Sequence, residues 1–323
     1  MNFPKISNPT RLEKLQPPNG KVRMVLDTDT YNEIDDQFAV VHALLSPEKL
    51  SVEGIYAAPF FNQRSTDPGN GMEMSYDEIL RLLERLDMPL ENLAYRGSSG
   101  FLMDYDRPYT SDAVNDLIER SMNSDGPLYV VAIGALTNIA SAILIEPKII
   151  EKIILVWLGG NALHWPHTTE FNLCGDVLAS RLVFDCGVPL VLIPCAGVTT
   201  HLRTTVSEIE RFVQGQGAIG DYLAETFKTY NDDHFGWSKE IWDVAAIAYL
   251  INADWIPSFI TSSPMVAQQP PVVEPGQNPY PWEKYLLTWS FDHSRHHIRC
   301  AYYVERDPIF QNLFTKLERF AKG

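Results

Sequence analysis

The feature that most constrains the fold is the stretch at residues 21–45, KVRMVLDTDTYNEIDDQFAVVHALL. Residues 22–26 form a short apolar run rich in β-branched side chains, long enough for a buried strand. In residues 36–45, Phe38, Val41 and Leu45 fall at helical spacing, and Ser46-Pro47 supplies a stop. Strand followed directly by helix is the first half of a βαβ unit, and such units bind ligands beyond the carboxyl ends of their strands. Five acids occupy that edge: Asp27, Asp29, Glu33, Asp35 and Asp36. Asp35 or Asp36 can cap the helix. Capping leaves Asp27 and Asp29 unexplained, because they follow a run that should be buried. Aspartates this close repel one another unless a cation or a bound proton offsets them. An oxygen-only cluster with no Cys or His beside it suits a hard cation, Ca²⁺ or Mg²⁺, rather than zinc.

The same rhythm continues along the chain. Residues 50–58, 128–133, 153–158 and 190–194 read as strands, and residues 76–86, 112–122, 136–144 and 177–185 as helices, with loops at 62–74 and 96–108. Strict strand–helix alternation predicts an α/β fold, a Rossmann-like, mostly parallel sheet covered by helices on both faces. The chain, 323 residues long, reads as one domain, with residues 1–20 as a surface arm and the last sixty or so adding strands and a helix to the sheet edge. The proline-rich stretch 267–282 is too short for a domain linker. A net charge of −15 argues against a nucleic-acid groove, which needs a basic footprint. No run of eighteen apolar residues marks a membrane span. No apolar amino-terminal core resembles a signal peptide, and Cys174, Cys186, Cys195 and Cys300 lack paired spacing. The expectation is therefore a cytoplasmic protein with reduced thiols.

Three further stretches fall where strands should end. In Ile133-Gly134-Ala135-Leu136-Thr137-Asn138, the glycine allows close backbone approach, and Thr137 or Asn138 can cap the next helix. In Thr169-Glu170-Phe171-Asn172, Glu170 and Asn172 are two apart and point the same way in extended chain, which suits a polyhydroxylated ligand as well as it suits a solvated loop. Trp242-Asp243 opens the apolar run VAAIAYLI, where an acid is ordinarily a cap and a tryptophan ordinarily core or rim. His293, His296 and His297 show no spacing that fits a metal site.

Taken in order, Asp27-Thr28-Asp29, Asp35-Asp36, Leu136-Thr137-Asn138-Ile139-Ala140, Glu170-Phe171-Asn172 and Trp242-Asp243 resemble the motifs of the nucleoside hydrolase family, over roughly residues 21 to 250. The resemblance implies cleavage of the N-glycosidic bond of ribonucleosides to ribose and free base, with a Ca²⁺ ion holding the attacking water. It implies Asp29, Asp36, Asp243 and the backbone carbonyl of Ile133 as metal ligands, and Asp29 also as the base that takes the water's proton. It places Asp35, Asn62 and Asn172 on ribose hydroxyls, Glu170 on the 5′-hydroxyl, and Asp27 behind the metal ligands. Family members are commonly dimers or tetramers, so a homo-oligomer is expected.

The chain departs from the family pattern in three places. Five residues, 30–34, separate Asp29 from Asp35 where three are usual, leaving Asn32 and Glu33 without a family role. His164 stands where an asparagine contacts the 5′-hydroxyl. Trp242 stands where a histidine often protonates the leaving base; purine-specific members also carry tryptophan there, so purine nucleosides are the expected substrates, stacked on Trp242. A second ring is available from Tyr31, Phe60, Phe61, Phe235 or Trp237, and His234 or His164 is the candidate acid. Two other readings stay open. Asp27-Thr28-Asp29-Thr30 resembles the start of the DxDxT phosphatase nucleophile motif, although Tyr31 stands at its threonine position and no lysine follows at a later strand end. A nucleoside-binding protein that kept the pocket and lost the acid is the other.

Overall fold

The computed structural model describes residues 3–123, 126–269 and 286–323. Residues 270–282 of the proline-rich stretch lie outside them. The first strand, β1 (Val22–Thr28), runs two residues further than its apolar run, so Asp27 belongs to the strand itself. The strands β2 (Leu50–Ala57), β3 (Ala94–Tyr95), β4 (Leu128–Ala132), β5 (Ile153–Leu158) and β6 (Leu190–Ile193) follow, and β9 (Ser258–Ser262) and β12 (His297–Ala301) close the edge. They form one eight-stranded sheet in the order β3-β2-β1-β4-β5-β6-β12-β9. Within it only β9 pairs antiparallel, with β12, as the expectation of a mostly parallel sheet requires. Outside it β7 (Arg203–Thr204) pairs with β8 (Lys239–Glu240), and β10 (Met265–Gln269) with β11 (Leu286–Ser290).

The order reverses at β1. Its sequence neighbour β2 lies on one side and β4 on the other, with Leu26 opposite Ile55 and Val131. A sheet with this topology opens a crevice at the carboxyl ends of β1 and β4. Alternation along β1 sends Met24 and Leu26 into one apolar layer with Phe38 and Val41, and Val25 into the other with Tyr56, Val130 and Trp157. Buried on both faces, these strands read as continuous apolar runs.

The helices nearest the crevice are α2 (Asp35–Leu44), α5 (Thr137–Ile145), α6 (Phe171–Gly175), α7 (Val177–Cys186) and α10 (Val244–Ile251). Three local expectations need correcting. The loop expected at 62–74 turns helical at Pro68: α3 (Pro68–Arg85) is capped by Asp67, which accepts from Asn70 N, with proline in the first turn. Helices α8 (Val206–Phe212) and α9 (Gly217–Thr229) were not foreseen. The amino-terminal stretch is more than a loose arm: α1 (Asn8–Lys14) packs against the fold, Leu15 is fully buried, and Arg299 Nε donates to Leu15 O. The last helix, α11 (Arg306–Lys322), lies against α9 and α10. All four cysteines are free and buried. Among the described residues no helix is long and apolar enough to cross a membrane.

Candidate active site

A cavity of about 320 Å³ lies beyond the carboxyl ends of β1, β4, β5 and β6. Its acidic floor comes from two helix starts. Asp35 and Asp36 open α2, and Asp243 precedes α10; each has a carboxylate oxygen within 4.8 Å of the other two, the only such cluster of potential metal-ligating side chains among the described residues. None of the three caps its helix. The N-cap of α2 is Ile34, without a side-chain bond, and Asp243 occupies the N-cap of α10 without making one. The capping explanation for these acids therefore fails, and they face the cavity instead. The histidines of residues 293–297 form no comparable cluster.

Burial raises the carboxyls of Asp29, Asp35, Asp36 and Asp243. Asp36 is pushed up to about 8, by burial first and then by the charge of Asp35, and it shares a hydrogen bond with Asp243. Asp35 is pushed to about 6 by burial, opposed by the ammonium of Lys239. Asp243 lies well above the carboxylate range, from burial and then Asp35 and Asp36. Asp29 is raised in the same way, by burial and then Asp36, and neither of its buried oxygens has a hydrogen-bond partner. A β-carbon on Gly134 would come within 3.1 Å of the Asp29 carboxyl, which explains the glycine. Orphaned carboxylate oxygens beside three converging carboxylates, with no nitrogen or sulfur among them, fit a hard divalent cation. Asp29 and Asp36 come from either end of the first loop, Asp243 from across the crevice.

Other predicted residues act as braces. Asn138 does not cap α5, whose N-cap is Leu136. Its Nδ2 donates to Asp27 Oδ2 (2.7 Å) and Ala57 O (3.1 Å), and its Oδ1 accepts from Ser98 N and Oγ, both at 2.7 Å. Asp27, pushed to about 7 by burial, is thereby fixed beneath the floor. Thr28 Oγ1 donates to Asp36 Oδ1 at 2.5 Å. Asn172 uses both amide hydrogens on strand ends, donating to Ile133 O and Leu158 O at 3.0 Å each, so the Ile133 carbonyl keeps one lone pair. Glu170 caps α6, accepting from Asn172 N, Leu173 N and Gly160 N, and from the Cys195 thiol.

Trp242 and Phe171 line the cavity. The loop aromatics proposed as a second ring do not: Phe60 is buried, Phe235 is exposed, and Trp237 packs on Phe227 and Tyr230. The structure does not bring His164 or His234 to the cavity. His164 is exposed, and His234 is exposed with Nε2 on Lys228 O. Asn62 is one shell back, donating to Asn32. Residues that sequence reading missed are Asn161, His167 and Thr169 on the loop after β5, and Cys195 and Ala196 directly after β6. The carboxyl-edge rule applied to β6 would have found the last two.

The fold matches solved nucleoside hydrolases. A purine-preferring ribonucleoside hydrolase from Gardnerella vaginalis superimposes with a TM-score of 0.70 at 20% identity, over 93% of this chain and 99% of that one. A plant nucleoside hydrolase, PpNRh1, gives 0.67 at 21% identity, over 92% and 99%. By sequence, a pyrimidine-specific ribonucleoside hydrolase, RihB, of Escherichia coli is 33% identical over 154 residues, 46% of this chain and 49% of that protein. The matched segment spans between 49% and 63% of the length of such curated relatives. The family model for inosine-uridine preferring nucleoside hydrolases matches residues 24–305, a span holding the whole acidic floor, both helix starts that build it and the Trp242 arm. The chain belongs to that family.

Proposed function

We propose that this protein hydrolyses the N-glycosidic bond of ribonucleosides, releasing ribose and free base, with a bound divalent cation, Ca²⁺, and a preference for purine ribosides. The observation that carries the reading is the floor: three buried carboxylates within 4.8 Å of one another, with Asp29 unpartnered beside them. Asp29, Asp36, Asp243 and the Ile133 carbonyl would hold the cation, which when bound supplies a more acidic water and a fixed positive charge near the sugar. Asp29 then accepts the proton of the attacking water. The water oxygen bonds to C1′, the C1′–N bond breaks with its electron pair on the base, the base takes up a proton from solvent, and Asp29 returns its proton to solvent. As that bond breaks the ribosyl centre gains positive charge, and buried carboxylates lower its energy more than solvated ones would. Asp35 and the Asn172 Oδ1 would accept from ribose hydroxyls. The crowded Glu170 carboxylate meets a 5′-hydroxyl with four donors already on it.

The purine preference rests on Trp242, with Phe171 as the second ring at the cavity wall. Stacking of this kind is worth about 1–3 kcal/mol per base. The pyrimidine-specific names of the sequence relatives favour a second reading, in which uridine or cytidine is preferred. A nucleoside panel of inosine, guanosine, adenosine, uridine and cytidine, read as free ribose with and without a chelator, tests all of this. Release that a chelator abolishes and Ca²⁺ restores is the expected result. Binding without release would make the protein a nucleoside carrier. Turnover of p-nitrophenyl phosphate instead would revive the phosphatase alternative. Faster uridine than inosine would overturn the purine preference alone.

A further inference from the structure

Residues 30–34, two longer than the family pattern, form part of the cavity wall. Asn32 and Glu33 both line the cavity, and three partners from other parts of the chain fix them there. Asn62 Nδ2 donates to Asn32 Oδ1 (2.7 Å) and Asn32 O (3.2 Å). Arg64 Nη1 donates to Tyr31 O and Glu33 O, with its guanidinium over the Tyr31 ring. Lys239 Nζ, 9% exposed, bonds Glu33 Oε2 at 2.5 Å. Lys239 lies three residues before Trp242, so this ion pair joins the extended loop to the segment that carries Trp242, within electrostatic reach of Asp35.

The hydrogen bonds also settle which atoms remain for a ligand. Arg64 N–H can only donate, so the Asn62 atom it meets at 2.8 Å is Oδ1. Asn62 Nδ2 is therefore the donor to Asn32, and the Asn32 atom it meets is Oδ1. That leaves Asn32 Nδ2 as a donor without a partner among the described residues. Lys239 takes Glu33 Oε2, and among the described residues nothing bonds Oε1, a free acceptor on the next residue.

We propose that Asn32 and Glu33 are the residues that read the edge of the leaving base, and that Lys239 positions Glu33 to do so. A donor beside an acceptor complements a lactam edge, a ring N–H next to a carbonyl oxygen. Hypoxanthine presents N1–H and O6, and uracil presents N3–H and O4. Adenine and cytosine present the reverse, a bare ring nitrogen beside an amino group, and would set donor against donor and acceptor against lone pair. The proposal rests on the nucleoside hydrolase reading and gives the same answer whether purines or pyrimidines are preferred.

The test is kcat/KM for inosine against adenosine and for uridine against cytidine, in wild type, Asn32→Ala, Glu33→Gln, Lys239→Met and Lys239→Arg. Glu33→Gln is near-isosteric and can donate to a bare ring nitrogen. It should lower the lactam-to-amino ratio by about tenfold or more, the scale on which an unpaired polar contact discriminates. Asn32→Ala should lower the same ratio. Lys239→Met should raise KM for the lactam nucleosides while holding kcat within about threefold, and Lys239→Arg should restore KM. A ratio unmoved in Glu33→Gln and Asn32→Ala, with all nucleosides losing activity equally, overturns the proposal and leaves the hydrolase reading standing. A wild type that releases ribose from no nucleoside overturns both.

Discussion

At the scale of single residues, the decisive side chain is Asp29. Both its oxygens are buried without partners, an arrangement that costs free energy unless something occupies the gap. Asparagine keeps the shape and cannot accept a proton. Asp29→Asn should therefore lower kcat by about 10²–10⁴-fold, the usual loss for a general base, while KM moves far less. A kcat within about threefold of wild type would remove Asp29 from the mechanism. Its position was legible from sequence because Asp29 follows a strand at a carboxyl edge, whereas Asp36 and Asp243 were singled out by the family resemblance. The acid expected from His164 or His234 was not legible, because closeness in sequence says nothing about which way a surface loop folds. His164 lies six residues from Glu170 and still faces solvent.

At the scale of elements, α5 is tied to three others by one amide. Asn138 joins β1 through Asp27, β2 through Ala57 O, and the loop after β3 through Ser98. Asn138→Ala would leave the buried Asp27 carboxyl without its partner, destabilising the fold by roughly 2–3 kcal/mol, the desolvation cost of such a group. Denaturant unfolding measures it, and a loss below about 0.5 kcal/mol would mean that Asp27 finds another partner. Strands β4, β5 and β6 were readable because each is a continuous apolar run, and α2 because apolar residues recur at helical spacing. The start of α3 was hidden by Pro68, Gly69 and Gly71, which suggest a loop until Asp67 is seen as a cap. Gly71 has a tertiary cause: a β-carbon there would strike Phe60 O. Contacts between distant segments, such as Glu33 with Lys239, leave no periodic trace in either stretch.

At the scale of the whole molecule, α2 links the site to the far side of the fold. His42, on α2, is fully buried, bonds Asn312 of α11 at 2.8 Å, and is pushed down to about 4 by burial. An unfolded histidine binds its proton near 6.5, so between 6.5 and 4 the unfolded chain holds more protons and stability is lost as pH falls. Comparing wild type with His42→Gln isolates this one group from the raised carboxyls. Between pH 7 and pH 4 the difference in unfolding free energy should shift by roughly 3 kcal/mol in favour of the variant. A difference that stays constant over that range would mean the histidine charges without cost.

The amide of Asn172 has a consequence for what the cavity can hold. Both of its hydrogens are committed to strand carbonyls, so only its oxygen remains. Asp35, Asp36 and Asp243, once ionised, likewise have nothing to give but lone pairs. Among these side chains the bottom of the cavity is a surface without hydrogens. Apart from a cation, a ligand that settles there must bring its own, several at once and closely spaced, as vicinal hydroxyls on a sugar ring do. A flat aromatic ring has too few.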